Sequence, residues 1–275
     1  MPEGDTILRA ARTLHRALAG EVITRFESVY PALSRIDHDR PLAGRTIEAV
    51  ASRGKHLLMT LSGDLTLHTH MRMHGSWHIY RPGERWQRPG RDMRVLLETA
   101  PFVAVGFNIP VAELLTAAQL ARHPPLQALG PDLADPAFDL AEVLLRLRAH
   151  NHDTLEQLLL NQRVAAGIGN VLKSEALFLA GLNPFLRADQ VDDERLRTLM
   201  QIAARLIASN VAPREATLSP ATGRRTTNSL DPDEKLWVYG RGGKSCRTCG
   251  TAIRSKAAGA DARLTYWCPQ CQKQD

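Results

Sequence analysis

The stretch Cys246-Arg247-Thr248-Cys249 and, eighteen residues after it, Cys268-Pro269-Gln270-Cys271 hold all four cysteines of a 275-residue chain. Two CxxC knuckles at the ends of a short hairpin bring four thiolates into a tetrahedron, the arrangement a soft d¹⁰ cation accepts without strain. Paired disulfides would need an oxidising compartment, and no secretory signal pattern opens the chain. A redox CxxC would need a thioredoxin-like βαβ pattern around it, which is absent. Four Cys ligands leave no open position for water, so the expected Zn²⁺ is structural and not catalytic. The spacing therefore predicts a zinc β-hairpin finger over 236–275 as the last of three parts.

The other parts are read outward from it. With 44% apolar residues the chain can bury a sizeable core, and its length suits two domains and a small appendage. No apolar run approaches the twenty residues of a membrane span, so a cytoplasmic protein without membrane partners is expected. The formal charge of +6 divides unevenly, with +4 over residues 1–112, −3 over 113–235 and +5 over 236–275. Basic ends fit a phosphate-backbone partner, although a zinc-bound tetrathiolate lowers the local count by two; a merely solvated basic surface is the alternative from charge alone.

Residues 5–19 read as a helix: Ile7, Ala11, Leu14 and Leu18 share one face, with Asp5 or Thr6 to cap it. From about 22 to 109 the pattern is of short strands separated by Gly, Pro and charged turns, including 46–51, 56–61, 65–70, 77–80, 94–98 and 102–107, as in a β-sandwich. A Pro-rich link follows, then helices near 139–149, 153–161, 170–180 and 192–210. Residues 213–235, polar and turn-rich around Arg224 to Thr227, read as a mobile loop. The expected class is α+β: an N-terminal β-sandwich with an N-terminal helix (1–120), a helical domain (121–235) and the zinc finger (236–275).

Two segments carry chemistry. In Gln162-Arg163-Val164-Ala165-Ala166-Gly167-Ile168-Gly169-Asn170 two glycines turn the chain into a helix that Asn170 would cap. Exposed N–H groups at such a start make a phosphate seat, though most GxG turns only connect helices. The chain opens Met1-Pro2-Glu3-Gly4-Asp5. Removal of Met1 is expected ahead of a small residue and would free a secondary amine on Pro2. The positive end of the helix dipole disfavours its protonation, leaving a nucleophile able to form an iminium ion with an aldehyde-like sugar carbon. Glu3 could then move protons; alone, such a dipeptide usually just starts a helix.

Together these segments resemble the Fpg/Nei family of DNA glycosylases, which comprises formamidopyrimidine-DNA glycosylase and endonuclease VIII. Pro2-Glu3-Gly4-Asp5, Arg53-Gly54-Lys55, Gln162 to Asn170 with Ser174-Glu175-Ala176-Leu177-Phe178, Val238-Tyr239-Gly240-Arg241 and the Cys246 to Cys271 finger occur in the family's order over nearly the whole chain. The resemblance implies a helix-two-turn-helix domain behind the sandwich, and a monomer that excises oxidised bases from damaged DNA and cleaves the abasic strand by β,δ-elimination. Pro2 matches the nucleophile and Glu3 the acid-base carboxylate. Lys55 matches a β-turn lysine that contacts phosphate beside the lesion; Gly54 permits a tight hairpin with the cation at its tip, where an ordinary exposed Lys is the alternative. Asn170 matches the phosphate-binding asparagine, and Arg263 the arginine at the tip of the zinc hairpin, where a guanidinium can clamp a phosphate.

A flipped-out nucleotide leaves a hole to be filled. Arg72-Met73-His74 occupy the place of the void-filling triplet of endonuclease VIII members, with Met73 as apolar wedge, Arg72 hydrogen-bonding the orphaned base and His74 stacking. This triplet and the Pro2-Glu3-Gly4 start favour oxidised pyrimidines; a purine-type enzyme or a non-catalytic zinc-finger protein that binds damaged DNA are the other readings. The chain departs from the family where a second glutamate is expected, having Thr6 there with Asp5 one residue earlier. A second metal site among His68, His70, His74 and His78 is not expected, because strand alternation scatters them and no nearby carboxylate completes a set.

Overall fold

The computed structural model describes residues 2–211, 223–258 and 262–273. The chain divides into two compact units, Met1–Ala128 and Leu129–Asp275. In the first, α1 (Gly4–Leu18) buries Ile7, Ala11, Leu14 and Leu18, one stripe of an amphipathic helix. Eight strands follow: β1 (Ile23–Ser28), β2 (Ile47–Arg53), β3 (His56–Leu61), β4 (Leu65–His70), β5 (Ser76–Tyr80), β6 (Met93–Thr99), β7 (Val103–Phe107) and β8 (Val111–Leu115). They form two antiparallel sheets, ordered β1-β6-β7-β5 and β2-β3-β4-β8. Ile23, Val95, Leu97 and Ala104 of the first sheet share a core with Ile47, Leu57, Met59, Leu67 and Leu114 of the second and with the apolar face of α1. Alternation along β7 sends Val103, Val105 and Phe107 to the opposite face, where Tyr80 and Leu96 pack with them and Trp86 lies against the group.

The expected sandwich and helix are present, with additions. Helix α2 (Pro31–Asp39) interrupts the strand region and β8 extends it past residue 109. A register shift between Ile23 and Arg25 breaks the alternation of β1, and β8 reads Val-Ala-Glu-Leu-Leu without a period-2 pattern, so neither announces itself in sequence. Two short helices, α3 (Ala117–Ala121) and α4 (Pro124–Gln127), complete the unit.

Helix α1 lies on β2 and β3. Near its end Gly20 N–H donates to the Ile47 carbonyl at 2.8 Å, and one turn earlier His15 Nδ1 accepts from Val50 N–H at 3.1 Å, so helix and strand run antiparallel. From His15 back to Glu3 the helix rises about 18 Å, and from Val50 forward to the end of β2 at Arg53 the strand rises about 10 Å. The strand thus carries the Lys55 turn toward the end of the sheet where α1 starts.

In the second unit α5 (Leu140–Arg148), α6 (Leu155–Leu160), α7 (Asn170–Leu179) and α8 (Asp193–Val211) surround one core, within which Leu147, Leu158, Leu172, Leu177, Leu199 and Ala203 are buried. These are the four helices the sequence predicts. Strands β9 (Arg254–Ala258) and β10 (Arg263–Trp267) form the hairpin of the finger, and α7 packs on β10. Residues 170–178 of α7 are all buried, including Asn170, Lys173, Ser174 and Glu175. Buried polar groups are mostly hydrogen-bonded, and each of these four has at least one partner in residues 226–266. Among the described residues no helix is long and apolar enough to cross a membrane.

Candidate functional site

Glu3 occupies the N-cap position of α1 and is fully buried; its carbonyl accepts from Thr6 N–H at 2.9 Å and Ile7 N–H at 3.0 Å. Helix packing therefore buries the Glu3 side chain at the helix start, directly after Pro2. Met1 lies outside the described residues. Asp5 is also buried, and its Oδ1 accepts from Thr6 N–H at 2.7 Å. Arg53 pairs with His56, leaving Gly54 and Lys55 as a two-residue turn in which Gly54 has φ +59° and Lys55 does not have positive φ. That is the II′ pattern, whose first central position favours glycine, and it sets Lys55 at the hairpin tip.

The loop from β4 to β5 presents the triplet. Met71 is buried in the core, whereas Arg72, Met73 and His74 are exposed in succession, Met73 at 55% of its surface. Arg72 has φ +49°, held by its N–H donating to His70 Nδ1 at 3.0 Å. Gly75 closes the loop with its N–H on the Met71 carbonyl at 2.9 Å, and a Cβ there would lie 2.6 Å from that oxygen. The triplet rims a hollow of about 740 Å³ whose other walls are Tyr30, Met71, Arg94, Asn108 and Pro110. No sequence motif marks these wall residues, because β1, β6, β7 and β8 bring them here only through sheet pairing.

Beneath both loops lies a run of imidazoles. His56 and His70 are register partners at the ends of β3 and β4, their rings 4.7 Å apart edge to face. His56 Nδ1 is 2.8 Å from His68 Nε2, and His68 Nδ1 is 2.8 Å from Glu113 Oε2 on β8. Burial, with the nearby His70 and His68 charges, pushes His56 down to about 3; burial, then Arg72 and Lys55, pushes His70 down to about 4. The carboxylate that no sequence neighbour of His68 supplies thus arrives by strand pairing.

In the second unit Gln162 pins the glycine turn. Its Nε2 donates to the carbonyls of Leu160 and Ile168, both at 3.0 Å, and its Oε1 accepts from Gly167 N–H at 3.0 Å. Gly167 has φ +106°. The expected capping role of Asn170 is not observed: Gly169 is the N-cap without a side-chain bond, and Asn170 is the first residue of α7. Its Nδ2 donates instead to the Leu264 carbonyl at 2.9 Å, 94 residues along the chain, and its Oδ1 is buried with no partner. That bond places Asn170 beside the residue following Arg263, so two of the expected phosphate contacts meet at the hairpin.

Behind them α7 is joined to the finger. Lys173 Nζ donates to Thr265 Oγ1 at 2.7 Å and lies 3.5 Å from Glu156 Oε2, all three residues being buried. The Glu175 carboxylate accepts from Trp237 N–H at 2.8 Å on Oε2 and from Val238 N–H at 2.9 Å and Tyr239 N–H at 2.8 Å on Oε1; the Thr226 hydroxyl also donates to it. Gln272 closes the far side, its Oε1 accepting from Cys268 N–H at 2.9 Å and its Nε2 donating to the Leu182 carbonyl at 2.8 Å. Residues 213–222 of the expected mobile loop lie outside the described residues. Residues 223–235 are anchored, Arg225 N–H donating to Asn210 Oδ1 and Thr226 N–H to the Lys235 carbonyl, both at 2.8 Å.

The four cysteines converge with every sulfur within 4.8 Å of the others, Cys249 to Cys268 at 3.4 Å and Cys246 to Cys271 at 3.9 Å. A tetrahedron with Zn–S of about 2.3 Å has edges of about 3.8 Å, so the donor set fits one zinc ion. Burial pushes the Cys268 and Cys271 thiols up. A bound cation supplies the compensation that lets such thiols ionise together.

Comparison with known proteins agrees with this geometry. Family profiles described as the formamidopyrimidine-DNA glycosylase N-terminal domain, its H2TH domain, and a zinc finger found in FPG and IleRS match residues 1–108, 129–221 and 243–274. A "Probable endonuclease 8 2" of Streptomyces coelicolor is 42% identical, covering 99% of this chain and 94% of that protein. A "DNA-(apurinic or apyrimidinic site) lyase Nei2" of Mycolicibacterium smegmatis is 36% identical over 99% of both. Among solved structures, Lactococcus lactis Fpg complexed with abasic-site DNA shares the fold, with a TM-score of 0.81 at 22% identity over 99% of this chain and 100% of that one.

Proposed function

The chain belongs to the Fpg/Nei family of DNA glycosylases, and from that premise we propose that it is a bifunctional glycosylase and abasic-site lyase that removes oxidised pyrimidines from DNA. It works as a cytoplasmic monomer. Once Met1 is removed, the secondary amine of Pro2 attacks C1′ of the damaged nucleotide, and the bond from C1′ to the base breaks with its electron pair leaving on the base. Glu3 handles the protons of ring opening. The resulting iminium withdraws electrons and acidifies C2′; loss of that proton expels the 3′ phosphate, and a second elimination expels the 5′ phosphate.

The observation that carries this reading is the placement of Glu3, a fully buried residue at the N-cap of α1 immediately after Pro2, with the Lys55 turn on the strand that runs toward that helix start. Lys55, Asn170 and Arg263 contact backbone phosphates, and Arg72, Met73 and His74 fill the space of the flipped nucleotide. Three consecutive exposed side chains on a glycine-braced loop support a contiguous wedge, and with it the pyrimidine preference.

Borohydride trapping tests the proposal. With processed protein and a thymine-glycol duplex, reduction should leave one covalent adduct, mapping to the mature N-terminus. Glu3→Gln should lose most base excision yet keep part of its cleavage of a preformed abasic site. An adduct that maps to Lys55, with Pro2 blocked and activity intact, would falsify the assignment of the nucleophile.

A further inference from the structure

Three residues that the proposed reaction does not use meet at β4 and β8 in the second sheet of the first unit. His68 on β4 is the register partner of Glu113 on β8, and its side chain is 1% exposed. His68 Nδ1 lies 2.8 Å, and His123 Nε2 3.0 Å, from the same oxygen, Glu113 Oε2. One ligand atom from each residue lies within 4.8 Å of the other two. Two imidazoles and a carboxylate are a donor set suited to zinc and its neighbours in the first row; with three protein ligands a position stays open for water, unlike the closed tetrathiolate.

The surroundings also fit. A His68 that offers its Nδ1 lone pair to a cation must carry its proton on Nε2, and His56 Nδ1, 2.8 Å away, can accept it. Such a partner for the far ring nitrogen is what metal-bound histidines regularly have. The Glu113 carboxylate holds the His123 proton on Nε2, and binding through Nε2 moves it to the buried Nδ1, which has no other partner. Glu113 keeps 43% of its side chain exposed, which leaves a way in for a hydrated ion.

We propose that His68, Glu113 and His123 form a second metal site, separate from the cysteine centre, that takes a divalent cation of the zinc class with water completing its shell. Without metal, His68 and His123 each point a proton at Glu113. On binding, both protons move to the opposite ring nitrogens, the His56 proton moves from Nδ1 to Nε2, and neutral rings need release none. The site lies on β4 and β8, of which β4 leads into the loop that carries Arg72, and it does not depend on the proposed reaction.

Cobalt titration of the full-length, zinc-loaded protein tests it, with bound metal counted by elemental analysis. Wild type should take one equivalent of Co²⁺ beyond its zinc, with the weak d–d bands of nitrogen and oxygen ligands and no thiolate-to-cobalt charge-transfer band. Glu113→Gln and His123→Gln, each close in size to the residue replaced, should weaken that equivalent at least tenfold while the zinc content stays at one. A wild type that takes no second equivalent, or variants that bind it as tightly, overturns the proposal. Should a variant fail to fold, as thermal unfolding would show, the wild-type stoichiometry and spectrum decide alone.

Discussion

Replacing Glu175 by Gln keeps the shape of the side chain but changes what it can accept. In the native protein each carboxylate oxygen takes at least two donors: Val238 and Tyr239 N–H on Oε1, Trp237 N–H and the Thr226 hydroxyl on Oε2. Hydrogen bonds to a charged acceptor contribute about 1.5–3 kcal/mol and neutral ones about 0.5–1.5, so the two bonds that Gln retains lose about 1 kcal/mol each. At the other position an amide N–H meets Trp237 N–H, donor against donor, leaving a buried group unsatisfied at about 1–3 kcal/mol. The easier desolvation of a neutral amide offsets part, and a net loss of about 3 kcal/mol remains. For a unit of this size that lowers the melting temperature by about 6–12 °C. Local opening of Trp237 to Tyr239 should also become about a hundredfold more frequent. Thermal unfolding followed by circular dichroism, with hydrogen exchange at those three amides, reads both quantities. Unchanged exchange and a melting temperature within 2 °C, about 0.5–1 kcal/mol, would show that the carboxylate does not hold this segment to α7.

Other consequences follow from the site geometry. Met73→Ala should cut excision from duplex DNA about tenfold or more while leaving stability within about 0.5 kcal/mol, because the side chain is exposed and braces nothing; wild-type efficiency on a duplex lesion would remove it from the wedge. Cys249→Ser should lower zinc content below one equivalent and weaken DNA binding, with the melting of the first unit unchanged as seen by its own amides in hydrogen exchange. Arg263→Ala should weaken binding to all sequences alike and reduce the salt slope by about one phosphate contact; a loss confined to one lesion context would assign it to base recognition instead.

The sequence by itself determined the features that local periodicity and short spacings encode. CxxC knuckles eighteen residues apart specify a metal hairpin wherever it docks, and the 3.6-residue stripe of Ile7, Ala11, Leu14 and Leu18 specifies a helix with one buried face. Pro2 and Glu3 were legible because they are adjacent and because their order with the later motifs resembles one family. Long-range pairing decided the rest. Asn170 reads as a cap, but Gly169 takes that position and the Asn170 amide bonds a carbonyl 94 residues away. Glu175 looks like one more helix residue until burial on every side of α7 makes it need the amides of 237–239. His68 appears among histidines with no carboxylate within reach, and the antiparallel register of β4 with β8 supplies Glu113 across the sheet. The physical reason is common to all three: side-chain periodicity reports which face of an element is buried, whereas the partner waiting on that face comes from another part of the chain and is set only when the elements pack.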